Sequence, residues 1–142
     1  MIKDCCLCEP FMPGDWIIRT DVKDPYPVQV EKKINYNIFV KDDKENIKCV
    51  KLNYCQPILI TPELLMKNGF VKEDIVAQYN IYTGIDNRIT MDDAEEYMDS
   101  CNSWAVYIDN KNYNDLPTCE LTYLHELQHQ LKSNKIKFEW KL

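Results

Sequence analysis

The residues best suited to chemistry in this sequence are His125-Glu126-Leu127-Gln128-His129, which fit the spacing H-E-x-x-H and include both of the chain's two histidines. On a helix, positions four apart share one side, so the two imidazoles can chelate Zn²⁺ while the glutamate activates a metal-bound water. At 100° per residue the histidines fall about 40° apart, away from the neighbouring leucines, so a metal there leaves the core intact. The expected places for a third ligand do not supply one. Extension of the pattern would need a glycine at position 132 and a histidine at 135, where the chain has Lys132 and Lys135. The one acid downstream is Glu139, in a predicted strand. The pattern therefore reads as a surface histidine pair on a packing helix, with no metal, no cofactor and no catalytic residue. The alternative is a zinc-dependent hydrolase with His125 and His129 as ligands and Glu126 as general base.

Cys5-Cys6-Leu7-Cys8 contains a C-x-x-C spacing, which can form half of a zinc site or a redox pair. No second C-x-x-C accompanies it. Seven cysteines, an odd number at irregular spacing, do not make a disulfide framework, and they read as reduced thiols acting as small hydrophobes.

The elements that must position these residues are mostly strands. Pro13-Gly14-Asp15 is a turn launching Trp16–Arg19, and Pro27–Glu31, Ile34–Val40 and Asn46–Leu52 are rich in β-branched and aromatic residues, with Asp42-Asp43-Lys44-Glu45 turning between the last two. Thr61-Pro62-Glu63 opens a short helix: a hydroxyl caps orphan N–H groups, proline suits the first helical position, and an acid suits the positive end of the dipole. Gly69 stops it, and Phe70-Val71 returns to extended chain. Further strands are expected at Gln78–Thr83, Arg88–Met91 and Trp104–Asp109, and a helical turn at Asp92–Asp99. The last helix is predicted from an N-cap at Thr118, with Leu121, Leu124, Leu127 and Leu131 on one face. Ile136, Phe138 and Trp140 then alternate with charged residues as an edge strand. The expected fold class is α+β: a single β-rich domain over 1–142, with residues 1–56 a β-meander or half-barrel and 57–142 an α+β part.

Composition bounds the function. A chain of 142 residues supports one domain with a real core, and no stretch approaches the roughly 18 apolar residues of a membrane span. The three glycines are isolated, which excludes a P-loop or a dinucleotide fingerprint, since both need clustered glycines against phosphate. A net charge of −6 argues against general nucleic-acid binding. The N-terminus has no apolar signal region, so the reading is cytoplasmic. The aromatic residues, from Trp16 to Tyr123, are expected to pack in sheets.

Three segments in order carry a resemblance: Gly14-Asp15-Trp16-Ile17; Pro57-Ile58-Leu59-Ile60-Thr61-Pro62-Glu63-Leu64-Leu65 followed by Lys67-Asn68-Gly69-Phe70; and Tyr123-Leu124-His125-Glu126-Leu127-Gln128-His129. Together they resemble a family of small uncharacterised proteins found in gut Bacteroidales genomes and in their phages. The resemblance implies a terminal helix that keeps the first histidine and the Leu-Gln pair while the glutamate and second histidine vary, and it implies no catalytic residues. The expected function is therefore a non-enzymatic phage or mobile-element binding protein in the bacterial host cytoplasm. Its partner would be a host protein or a small nucleotide-like signalling ligand sequestered against host defence, with homo-oligomer pockets and Arg19, Lys32, Lys33 and Arg88 as the basic candidates. A structural or virion accessory protein is a further alternative.

Overall fold

A computed structural model describes residues 10–42, 44–73, 78–83, 87–93, 103–109 and 119–142. The chain is β-rich α+β, with two antiparallel five-stranded sheets and two α-helices among the described residues. It divides into two compact units: Met1–Ile58 with Tyr123–Gln128, and Leu59–Thr122 with His129–Leu142. The expected helical turn at 92–99 lies outside the described residues apart from Asp92 and Asp93, which end a strand. Cys5, Cys6, Cys8, Asp43 and Thr118 also lie outside them.

The first unit holds β1 (Trp16–Arg19), β2 (Tyr26–Ile34), β3 (Asn37–Lys41), β4 (Ile47–Lys51) and β5 (Cys55–Pro57), in the order β4-β3-β2-β1-β5. Alternation decides which face is core. Ile17, Val28, Val30, Ile38, Val40 and Val50 bury together with Phe11 and Cys55. Glu31 is the extra residue of a bulge, because Val30 pairs with Val40 but Lys32 pairs with Phe39. The expected strand Ile34–Val40 is broken: Ile34 ends β2, and Asn35, at φ 54, turns the chain before Asn37. Asparagine tolerates this left-handed conformation better than other residues with a Cβ. Between β3 and β4 the Asp42 carboxylate accepts the N–H groups of Lys44 and Asn46, which tightens the turn.

The second unit contains α1 (Pro62–Lys67), β6 (Val71–Lys72), β7 (Gln78–Thr83), β8 (Asn87–Asp93), β9 (Trp104–Asp109) and β10 (Cys119–Leu121), with sheet order β10-β9-β8-β7-β6. Helix α1 follows its local signals. Thr61 Oγ1 accepts from Leu64 N–H at 3.1 Å, Pro62 opens the first turn, and Gly69 at φ 93 ends the element. Tyr79, Ile89, Met91, Trp104, Val106, Ile108 and Leu121 bury one face of the sheet.

Two expectations near the C-terminus are corrected. The last helix, α2, spans Leu124–Ser133 and does not begin near Thr118. Residues 119–121 instead pair with β9, Leu121 opposite Trp104. Leu121 has the helical phase of Leu124, but cross-strand packing on Trp104 outweighs that local preference. After α2, residues 136–142 form no ladder among the described residues. They keep the alternation of a half-buried strand: Ile136 and Trp140 are buried, Phe138 is half-buried and the charged residues between them are exposed.

Candidate functional site

The H-E-x-x-H residues are largely committed to holding the first unit together. His125 was expected at the surface, and it is 0% exposed. Its ring lies edge-on to Phe11 at 4.8 Å between centroids and stacks near Tyr123 at 6.0 Å, so it packs as a core aromatic. Glu126 reaches back to accept the Tyr123 N–H at 2.9 Å. It is the third residue of α2, and this is the glutamate half of a capping box, which satisfies an orphan donor at the helix start. The next donor, Leu124 N–H, is met by the Ile58 carbonyl at 2.8 Å. Gln128, which carried no role in the zinc pattern, makes the longest-range bonds. Its Oε1 accepts from Trp16 N–H and its Nε2 donates to Gly14 O, both at 2.9 Å. His129 is half-buried. Among the described residues no three His, Cys, Asp or Glu side chains are grouped to hold a metal.

Within the first unit, Arg19 does not join Lys32 and Lys33. Arg19 is buried, and its guanidinium forks onto Asp21 at 2.7 and 2.8 Å while lying 5.8 Å from the centre of the Tyr26 ring. The Arg19 hydrogen bond holds the Asp21 carboxyl below the usual range, and the same bond raises the guanidinium further above its own. Lys32 and Lys33 sit near the far end of β2, six and seven residues beyond Tyr26, or about 20 Å along the strand. Lys32 covers the Phe39 ring at 4.9 Å. Arg88 lies on β8 in the second unit and is exposed. Cys49 is an exposed thiol, whereas burial first, and then the Asp21 charge, pushes Cys55 up to about 11.

The surface best equipped for recognition is the outer face of β7, β8 and β9 around Arg88. Register places Tyr82 opposite Arg88, Asn80 opposite Thr90, and Gln78 opposite Asp92; Tyr107 lies across from Thr90 on the other side, diagonal to Arg88. The middle row is fixed by a relay: Thr90 Oγ1 donates to Asn80 Oδ1 at 2.6 Å and Asn80 Nδ2 donates to Glu73 Oε1 at 3.0 Å. Tyr82 is 75% exposed. The sequence offers Arg88 as a basic candidate for a ligand pocket but does not reveal this setting, because the alternation of β7 and β8 gives faces only once their register is known. Among the described residues no helix is long and apolar enough to cross a membrane. No family model matches the chain, and no curated protein or solved structure matches it either.

Proposed function

We propose that the chain is a non-enzymatic binding protein of a phage or mobile element, acting in the bacterial cytoplasm on a host protein, and that it binds through the outer face of β7–β9. The setting comes from the resemblance of its three segments to proteins of Bacteroidales and their phages. The observation that carries the binding reading is the placement of exposed Tyr82 and Arg88 as a direct cross-strand pair, with Tyr107 on the diagonal and an ordered Thr90–Asn80–Glu73 relay beside them. Tyrosine and arginine are the residue types that dominate interface energetics, since each brings a large rigid contact and directed polar groups. Among the described residues, Arg88 is the cation on this face, with Asp92, Glu120 and Glu73 beside it. That balance favours a protein partner over a phosphate-rich nucleotide, which draws on several donors or cations.

Purified wild-type protein and the Arg88→Glu and Tyr82→Ala variants, each immobilised and exposed to host-cell extract, test this reading. A host protein retained by wild type, lost by both variants, and rebound at micromolar or better affinity when purified is the expected result. Equal retention by all three overturns the assignment of the face. Native mass spectrometry showing a nucleotide retained by wild type overturns the choice of partner.

A further inference from the structure

The free edge of β4 carries a second recognition surface, in the first unit. Leu52 N–H bonds Tyr36 O at 2.8 Å and Asp42 N–H bonds Asn46 O at 2.9 Å, at the two ends of the register that pairs Asn37 with Lys51 and Lys41 with Ile47. In an antiparallel ladder bonded pairs alternate. The pairs Ile38–Val50 and Val40–Lys48 are therefore the bonded ones, and the backbone groups of Ile47, Cys49 and Lys51 point away from β3. Strand β4 ends its sheet among the described residues. It offers an outward row of three N–H groups and the carbonyls of Ile47 and Cys49; the Lys51 carbonyl already accepts the Cys55 thiol at 3.6 Å.

Exposed edges are commonly blunted by proline, a bulge or a charge. β4 has no proline, and its pairing with β3 is regular. Its one protection is charge: Lys48 and Lys51 are exposed, and no acid occurs from Asn46 to Tyr54. That device works by sign. Lysines disfavour a second β4, because edge pairing of two copies brings the lysines of both onto one short ladder. An acidic strand reverses the interaction at the same positions. In a chain of net charge −6, a basic edge is not a reflection of composition.

We propose that β4 takes up an extended acidic peptide segment of a partner protein as an added antiparallel strand. The side-chain pattern follows from the two faces. An acid faces Lys51, a small residue faces Val50, an apolar residue faces Cys49, a second acid faces Lys48, and an apolar residue faces the half-exposed Ile47. The inference rests on the first sheet alone and stands or falls independently of the Arg88 face.

The probe is a fluorescent synthetic peptide containing Glu-Ser-Val-Glu-Val, titrated into the full chain by anisotropy, with amide hydrogen exchange read residue by residue. Saturable binding with slowed exchange at Ile47, Cys49 and Lys51 is expected. The double variant Lys48→Glu, Lys51→Glu should weaken binding at least tenfold and bind the Lys-Ser-Val-Lys-Val peptide instead. Because these lysines are exposed, the variant should keep the wild-type melting temperature. Failure to bind, exchange unchanged at those three amides, equal affinity for a backbone N-methylated peptide, or displacement by an oligothymidylate without amide protection would each overturn the proposal.

Discussion

Two segments outside the regular ladders, residues 10–15 and 136–142, are anchored by the same device in different units. Each is gripped by a side-chain amide acting as a strand. Gln128 accepts from Trp16 N–H and donates to Gly14 O, the pattern one residue makes in a parallel pair. Asn68 accepts from Lys141 N–H at 2.6 Å and donates to Lys141 O at 2.9 Å, the pattern of an antiparallel bonded pair. Each grip is backed by aromatic packing, Phe11 on His125 in one unit and Trp140 stacked over Phe70 in the other. The difference lies in polar satisfaction. Both segments have further backbone bonds, Gly14 N–H to Val30 O and Val30 N–H to Asp15 O in the first and Ile136 N–H to Leu131 O in the second, but the second leaves the buried Trp140 Nε1 with no hydrogen-bond partner among the described residues. A polar residue type therefore does not by itself mark chemistry: His125, Glu126 and Gln128 are occupied in structure, and among the described residues the buried groups without a hydrogen bond include Thr83 Oγ1 and Trp140 Nε1, outside the H-E-x-x-H pattern.

The largest effect should come from removing the rings. Trp140→Ala and His125→Ala should each cost on the order of 3 kcal/mol in urea unfolding, the scale of emptying a buried aromatic site. A change below about 1 kcal/mol for His125→Ala would remove its role as core. Next come the amides. Gln128→Ala should cost about 2 kcal/mol, because it strands the part-buried Trp16 N–H and leaves Gly14 O with Gln29 Nε2 alone, and the more exposed Asn68→Ala about 1 kcal/mol; the reverse order would show that Asn68 makes the firmer grip. Glu126→Gln keeps a carbonyl for Tyr123 N–H and should change stability by less than about 1 kcal/mol. Trp140→Phe discards the indole N–H and should be far milder than Trp140→Ala, within about 1 kcal/mol of wild type. A loss equal to that of the alanine variant would show that the indole nitrogen is bonded after all.

Two titrations sharpen the picture within the first unit. Asp21 is held below its ordinary 3.8 by Arg19, so its folded pKa lies under its unfolded one. The stabilisation is present above about pH 4 and is lost as pH falls through the folded value. Asp21→Asn should therefore flatten part of the acid limb of the stability curve. Cys55, raised from 9.0 to about 11, stays a buried thiol at pH 8, whereas Cys49 is exposed to a reagent. At pH 8 a disulfide reagent should lose one fast-reacting equivalent in Cys49→Ser and none in Cys55→Ser.

Local signals were readable where a few neighbouring residues set the outcome. Thr61, Pro62, Glu63 and Gly69 framed α1, and the bounds of β1, β7 and β9 match their apolar-aromatic runs. Strand β5 was not readable, since three residues ending in Pro57 carry too little pattern and form only against β1. Strand β10 was mistaken for helix because Leu121 fits both periods. The candidate face is not legible in the sequence: Arg88 is one of four basic candidates there, with Arg19, Lys32 and Lys33, and only register sets Tyr82, Thr90 and Asn80 beside it. Gln128 and Asn68 gave no local signal, because their backbone partners are 112 to 114 and 73 residues away.

Composition, alternation and caps are local properties, and they suffice for an acidic β-rich α+β chain with a capped short helix, a leucine-bearing last helix and no glycine-rich phosphate loop. The roles of the polar residues come from the fold. Burial against Phe11 turned His125 into a core ring, strand register assembled the Tyr82–Arg88 face, and sheet order left the lysine-bearing edge of β4 open. Hydrogen bonds and ring contacts form between whichever groups the fold makes neighbours, and sequence spacing does not specify those neighbours.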